Sequence, residues 1–411
     1  MLRLSKGGRA HGMIKSMPGD FRVEEITAGG VVLEIGKKYS PEMLGIGAQA
    51  DGKFSIFVMQ KTGWNTSQAL KAIARKFRRG IKSTAFAGTK DRTSVSTQLC
   101  SIFGVRPEQI SSVHIKDISI NGAWYSNSKI EMGDLMGNRF GILARDARDC
   151  SGMEGIISEL HGTFPNYFGE QRFGNRGANV DIGVAILKGD FEGAAMSFLT
   201  ETQNETNEDA MESRKRLAEE RDFKDAIRYF PQYLKYERLM IEYLSRYPNN
   251  YANAIRKLPR SISLMLVHSV EAYIFNRVLE ERIANGTSKP ESKDLVCKAN
   301  EFGFPDLKEV TPYDKDRNAQ FAVGNIIGYD TKSVTETEQR LLDELGIGIE
   351  SFKVNGLNEL NSRGTYRVMF APYKDIGYVC RDDTMEMRFS LPAGSYATVL
   401  LEEFLDYGSP G

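Results

Sequence analysis

The sequence predicts an α+β protein in which a mainly helical domain interrupts a strand-rich one. Three observations lead there. Short runs with strand alternation fill the first part of the chain, helical periodicity with dense mixed charge takes over near Asn179, and strand character returns after about Gly348. Strands, then helices, then strands again are the pattern of an insertion into a sheet domain. The expected segments are 1–180 (sheet domain, first part), 181–350 (inserted helical domain) and 351–411 (sheet domain, last part).

Each element follows from local pattern. FRVEEI and VVLEIGKKY flank the turn TAGG, which reads as a hairpin, and KFSIFVMQ follows as a strand. NTSQALKAIARKFRRG has Leu70, Ile73, Phe77 and Ile81 on one helical face, with Asn65 or Thr66 as N-cap and Gly80 as a stop. Its outer face carries Lys71, Arg75, Lys76, Arg78 and Arg79. STAFA, SVSTQLCSIF, VHIKDISI and NRFGILAR read as strands. In the insertion the longest candidate helix is RSISLMLVHSVEAYIFNRVLEERI, with Ile262, Met265, Ser269, Ala272, Phe275 and Leu279 along one side. Strands in TYRVMFAPY and MEMRFSLP and a helix in SYATVLLEEF close the chain.

A chain of 411 residues suggests two or three domains at roughly 150 residues each. Lys plus Arg balances Asp plus Glu, 54 against 54, so any contact with a polyanion must be local. Cys100, Cys150, Cys297 and Cys380 form no C-x-x-C pair, and buried free thiols in a reducing cytoplasm are the expectation. His11, His114, His161 and His268 are scattered and no H-E-x-x-H occurs, so metal catalysis has no sequence support. The first residues, MLRLSKGGRAHGM, lack the apolar core of a secretory signal, and no uninterrupted apolar run reaches the roughly 18 residues of a membrane helix. A cytoplasmic protein is expected.

Two motifs carry candidate chemistry. In FAGTKDRTSVSTQ, a Gly88-Thr89 turn would project Asp91 from a strand end, and a carboxylate so placed can act as a nucleophile on carbon. The plainer account is a charged hairpin loop. PNYFGEQRFGNRG, Pro165 to Gly177, combines aromatics with Asn166, Gln171, Arg172 and Arg176, a mixture that stacks on an unstacked RNA base and bonds its edges. Its plainer account is a buried aromatic turn. The basic helix would suit RNA phosphates, and Gly394 and Ser395 in SLPAGSYAT open a helix where free N–H groups could meet a phosphate. A solvated face explains the helix equally well, and ordinary capping is the preferable account of Gly394 and Ser395. Neither G-x-G-x-x-G nor the P-loop pattern is present.

Together these stretches resemble the TruD-type tRNA pseudouridine synthases. AGTKDRTSVSTQ is similar to that family's catalytic motif, PNYFGEQRFG to its second signature and LPAGSYAT to its C-terminal one. GMIKSMPGDFRVEEI, KTGWNT, GNRF and HSVEAYIFN add further likeness in the same order. The resemblance implies a catalytic domain of pseudouridine synthase type, with a mixed, largely antiparallel sheet, and the family's own inserted domain. It implies conversion of uridine to pseudouridine, at tRNA position 13, with no cofactor. Its partner would be tRNA, with no membrane, DNA or obligate protein partner.

Carried over by motif position, Asp91 is the nucleophile and Lys15 its basic neighbour, while Phe21, Asn166, Phe168 and Tyr396 line the uridine pocket. Position 396 is Phe elsewhere in the family, and Tyr adds a hydroxyl. Asp91 would enter a cleft between sheet and insertion, with Lys90 and Arg92 pointing away. Whether the carboxylate attacks ribose C1′ or the uracil ring stays open. The rivals are a non-catalytic RNA-binding protein and a synthase acting on another RNA.

Overall fold

The computed structural model describes residues 1–174, 176–317 and 320–407; Asn175 of the PNYFGEQRFGNRG stretch lies outside them. In chain order the first segment contains β1 (Ala10–Met13), β2 (Phe21–Thr27), β3 (Phe54–Thr62), α1 (Thr66–Lys76), β4 (Thr84–Phe86), β5 (Val95–Phe103), α2 (Pro107–Ser111), β6 (Ile118–Ser126), β7 (Leu135–Arg148), α3 (Met153–Leu160) and β8 (Thr163–Pro165). The middle holds seven helices, α4 (Asn179–Lys188), α5 (Phe191–Thr200), α6 (Glu208–Glu220), α7 (Phe223–Tyr229), α8 (Lys235–Arg246), α9 (Tyr251–Ile255) and α10 (Arg260–Ala284). After these come β9 (Leu295–Ala299), β10 (Pro305–Pro312), β11 (Gln320–Ile326), α11 (Glu336–Leu345) and β12 (Thr365–Val368). The chain closes with β13 (Phe370–Pro372), β14 (Lys374–Arg381), β15 (Thr384–Pro392), α12 (Ala397–Phe404) and β16 (Leu405–Asp406).

Two compact units result. The sheet unit comprises Arg3–Asn166, Lys298–Asp306 and Phe370–Gly411; the helical unit comprises Met1–Leu2, Tyr167–Cys297 and Leu307–Met369. The sequence places the insertion at 181–350, and the helical unit extends past both limits. The cause is visible at Phe168, which packs edge-on against Phe275 of α10 at 5.7 Å and so joins the helices well before the first of them begins.

The sheet unit is built on ten strands in the order β14-β15-β7-β2-β5-β3-β6, with β1 bridging β7 and β16 and β4 beside β5. β2–β5 and β1–β16 are parallel and the other pairs antiparallel. The sheet is therefore mixed and largely antiparallel, as expected. Its core under α1 gathers Phe57, Met59, Leu70, Ile73, Cys100 and Ile110, all wholly buried. The helical unit centres on α10, which is buried around most of its circumference, while Ile262 and Met265 of its expected inner stripe are only half-buried. By length and composition α10 could cross a membrane, contrary to the sequence reading, yet 61% of its apolar window is buried in the protein. That is the position of a core helix.

Other expectations need correction. After the TAGG turn the VVLEIGKKY arm forms only the single bridge Ile26–Val32. Leu33 N–H still bonds Glu25 C=O at 2.9 Å, but the next three N–H groups go to side chains: Glu34 N–H to Tyr39 Oη, Ile35 N–H to Glu24 Oε1 and Gly36 N–H to Gln60 Oε1. Helix α1 stops at Lys76 rather than near Gly80, because Arg78 adopts φ +54°. Arg78 N–H then bonds Arg75 C=O and Arg79 N–H bonds Ala74 C=O, a Schellman ending. Ile81, expected on the buried face, is consequently exposed. Finally, Cys150 and Cys380 form a disulfide across 230 residues, whereas Cys100 and Cys297 are buried thiols outside any disulfide. Sequence separation hid that neighbourhood; β15 pairs with both β7 and β14 and brings their ends together.

Candidate active site

The loop from Ala87 to Ser94, between β4 and β5, is tied down at nearly every step. Ala87 C=O accepts from Gly133 N–H at 2.8 Å, and Gly88 C=O from the Gln98 amide of β5 at 3.0 Å. Lys90 N–H donates to Thr66 Oγ1, the first residue of α1, at 2.9 Å. Asp91 C=O accepts from both Lys61 Nζ of β3 and Ser94 Oγ, each at 2.9 Å. With its main chain held from the protein side, Asp91 turns its carboxylate outward, where the side chain is 62% exposed. Thr66, Lys61, Gln98 and Ser94 are themselves buried, so the anchors are rigid.

Beneath this loop lies a buried ionic group. Lys90 Nζ meets Glu25 Oε2 at 2.8 Å, with both side chains shielded from water, and Glu25 Oε1 accepts Leu99 N–H at 2.9 Å. Burial raises the Glu25 carboxyl, opposed by Lys90. Burial, helped by the Lys90 charge, lowers the Lys61 ammonium to about 8, and burial pushes the nearby Cys100 thiol well up. Breaking such a pair by removing one member leaves an uncompensated charge, at a cost of about 3–5 kcal/mol. Lys90 therefore points into the fold, while Arg92 is exposed.

Lys15 supplies the cation beside Asp91. Its Nζ stands 3.7 Å from Asp91 Oδ2 and 4.5 Å from the centroid of the Phe21 ring, a separation at which the ring face attracts a cation. Lys15 has φ +61°, a left-handed conformation that costs a non-glycine residue roughly 1–2 kcal/mol. The strain is held by the neighbouring turn, in which Asp20 accepts Met17 N–H at 2.8 Å and is gripped by Arg145 of β7 at 2.7 and 3.0 Å. The Arg145 hydrogen bond lowers the Asp20 carboxyl.

The structure thus brings Lys15, Phe21 and Asp91 into one contact set. Asn166 lies in the same unit just after β8, 2% exposed, and Tyr396 is half-buried at the N-cap of α12. Phe168 belongs to the helical unit. There Asn276 of α10 bonds both its N–H and its C=O at 2.9 Å, and its ring lies 4.2 Å below the Arg367 guanidinium and 5.5 Å from that of Arg172. Close by, Glu271 of α10 is buried with Oε1 unpartnered, and burial raises its carboxyl to about 7. Among the described residues no group of three or more His, Cys, Asp or Glu could hold a metal ion.

Sequence reasoning missed Lys61, Thr66, Gln98 and Glu25 as supports of the loop. A signal existed for Glu25: period two in β2 puts Phe21, Val23 and Glu25 on one face, and all three are buried. Glu24, on the other face, pairs with Arg139 at 2.6 Å.

Comparison with known proteins identifies the family. A family model described as tRNA pseudouridine synthase D (TruD) matches residues 2–404. The Methanococcoides burtonii protein named "Probable tRNA pseudouridine synthase D" is 33% identical over 385 residues, covering 86% of this chain and 88% of its own. The Methanococcus maripaludis "Probable tRNA pseudouridine synthase D 2" is 34% identical over 402 residues, covering 96% and 95%. Among solved structures, the Methanosarcina mazei protein named "Putative tRNA pseudouridine synthase D (TruD)" matches with a TM-score of 0.75 at 29% identity, over 98% of this chain and 95% of that one.

Proposed function

Because the chain belongs to the TruD family of tRNA pseudouridine synthases, we propose that it isomerises uridine 13 of tRNA to pseudouridine, with Asp91 as nucleophile and no cofactor. The observation that carries this reading is the presentation of Asp91: a main chain bonded on its inner side, a carboxylate open to solvent, and one ammonium 3.7 Å away. A nucleotide inside folded RNA must be everted to be worked on, and an outward carboxylate is reachable by such a base. Uridine and its product are isomers. The N1–C1′ bond breaks, a C5–C1′ bond forms, C5 loses a proton and N1 gains one, so no redox partner is required.

Several residues then have roles. Asp91 attacks the nucleotide, at ribose C1′ or at the ring. Lys15 faces the negative charge that the detached uracil carries while it turns over, a preorganised cation at the place where charge develops. Phe21 seats the Lys15 ammonium. Asn166 and Tyr396 of the sheet unit line the uridine pocket, and the protein works in the cytoplasm, where its substrate is. Incubating the protein with a panel of unmodified tRNA transcripts and mapping pseudouridine nucleotide by nucleotide tests the reading. Product at position 13 is expected; product only elsewhere in tRNA, or none at all, overturns it.

A further inference from the structure

The outer face of α1 and the turn after it carry Lys71, Arg75, Lys76, Arg78, Arg79 and Lys82, and no acidic residue lies between Thr66 and Ser83. In a chain whose charges balance, that is a concentrated patch. Five of the six carry no ion pair or side-chain hydrogen bond among the described residues; Arg79 alone bonds a carbonyl, that of Gly104, at 3.1 Å. Other cations in the protein are commonly paired, as Arg214 is with Glu205 and Glu237.

Folding does not account for the patch. Lys71 and Arg75 are like charges four apart on α1, which destabilise a helix. The helix dipole favours cations only in the last turn, which covers Arg75 and Lys76 but neither Lys71 nor Lys82. At the left-handed position that ends the helix, where glycine is the usual choice, the chain keeps Arg78. The inner face is fixed by Ala69, Leu70, Ile73 and Ala74, all fully buried, so the cations cannot turn inward. Moreover, Thr66 at the start of α1 bonds the main chain of Lys90, next to Asp91. The stripe is therefore rigidly connected to the loop that presents the carboxylate.

We infer that the basic face of α1 is a docking surface for the sugar–phosphate backbone of the tRNA whose uridine reaches Asp91. The inference rests on the activity proposed above for its choice of polyanion. Phosphate contacts set position and register without reading sequence, and each one lost lowers the salt dependence of binding by a fixed increment.

The test measures binding of an unmodified tRNA transcript across a range of salt concentrations. It compares the parent chain with a Lys71→Gln, Arg75→Gln, Lys82→Gln variant, and with a charge-matched Lys37→Gln, Lys38→Gln, Lys129→Gln control. All six side chains are exposed, and an unchanged melting transition confirms folding. For the α1 variant the slope of log K against log salt should fall by about 2 to 3 and Kd should rise about tenfold or more at moderate salt, with the control unchanged. An α1 variant that keeps the parental slope overturns the inference, as does a control that loses as much. If the parent binds tRNA with the expected slope but forms no pseudouridine, the proposed activity fails while the docking surface stands.

Discussion

Lys61, with no solvent exposure, donates a hydrogen bond at 2.9 Å to the main-chain carbonyl of Asp91. The residue that offers its carboxylate to solvent is thus held from behind by a buried cation. Lys61→Met removes this donor while keeping an unbranched chain of similar length. A small displacement of a reacting group costs up to about 100-fold in rate, so kcat should fall about 10- to 100-fold with KM within a few-fold. Steady-state kinetics on a tRNA transcript checks this; a rise in KM alone would speak for a binding role instead.

The Glu25–Lys90 pair makes a stability prediction. Glu25→Ala strands the Lys90 ammonium in a buried site and should cost about 3–5 kcal/mol in denaturant unfolding. Replacing both residues by Met should recover much of that loss. A double variant as unstable as the single one would show that the pair matters through packing rather than charge.

Glu271 predicts a pH dependence in the helical unit. Its folded carboxyl titrates at about 7, against an ordinary 4.5, with burial the leading cause. Between those values the folded state holds a proton that the unfolded state has released, so this group's contribution to stability is fully present below 4.5 and lost as pH rises through about 7. At 1.36 kcal/mol per pH unit the upper bound is about 3 kcal/mol. Glu271→Gln should remove that slope, so that the variant gains on the parent from pH 5 to pH 8. Parallel curves would contradict the assignment.

Cys150 and Cys380 predict a redox-dependent stability. The Cys150→Ser, Cys380→Ser double variant should unfold with about 2–4 kcal/mol less stability than the oxidised parent. It should match the parent once reductant is added. Such bonds are uncommon in reducing compartments, so thiol titration of freshly isolated protein reports directly whether the bond persists there. Four reactive thiols after denaturation, rather than two, would mean it does not.

How much was legible in the sequence depended on whether the information was local. The Asn65-capped start of α1 occupies a few consecutive residues and cap chemistry marks it, whereas the Asp91 loop and the NYFG stretch stand out from bland loops only through their resemblance to the TruD family. Lys61 sits just past the apolar run KFSIFVMQ, and nothing local marks it as buried. Only the pairing β3–β5 and the return of α1 place it under Asp91. Strand β14 was missed for a similar reason, since as an edge strand it is half exposed and lacks a buried alternation. The disulfide depends on two strands far apart in the chain. Ile81 misled because apolar periodicity ran past the point where Arg78 turned left-handed. Phe168 was legible as an aromatic beside Arg, but its partners Arg367 and Asn276 lie far along the chain.

The most direct measurement follows pseudouridine formation in a tRNA transcript by wild-type and Asp91→Asn protein, with Kd recorded for both. The account predicts product with the parent, none with the variant, and Kd values within a few-fold of each other. Product from Asp91→Asn at a rate near the parent's would contradict it.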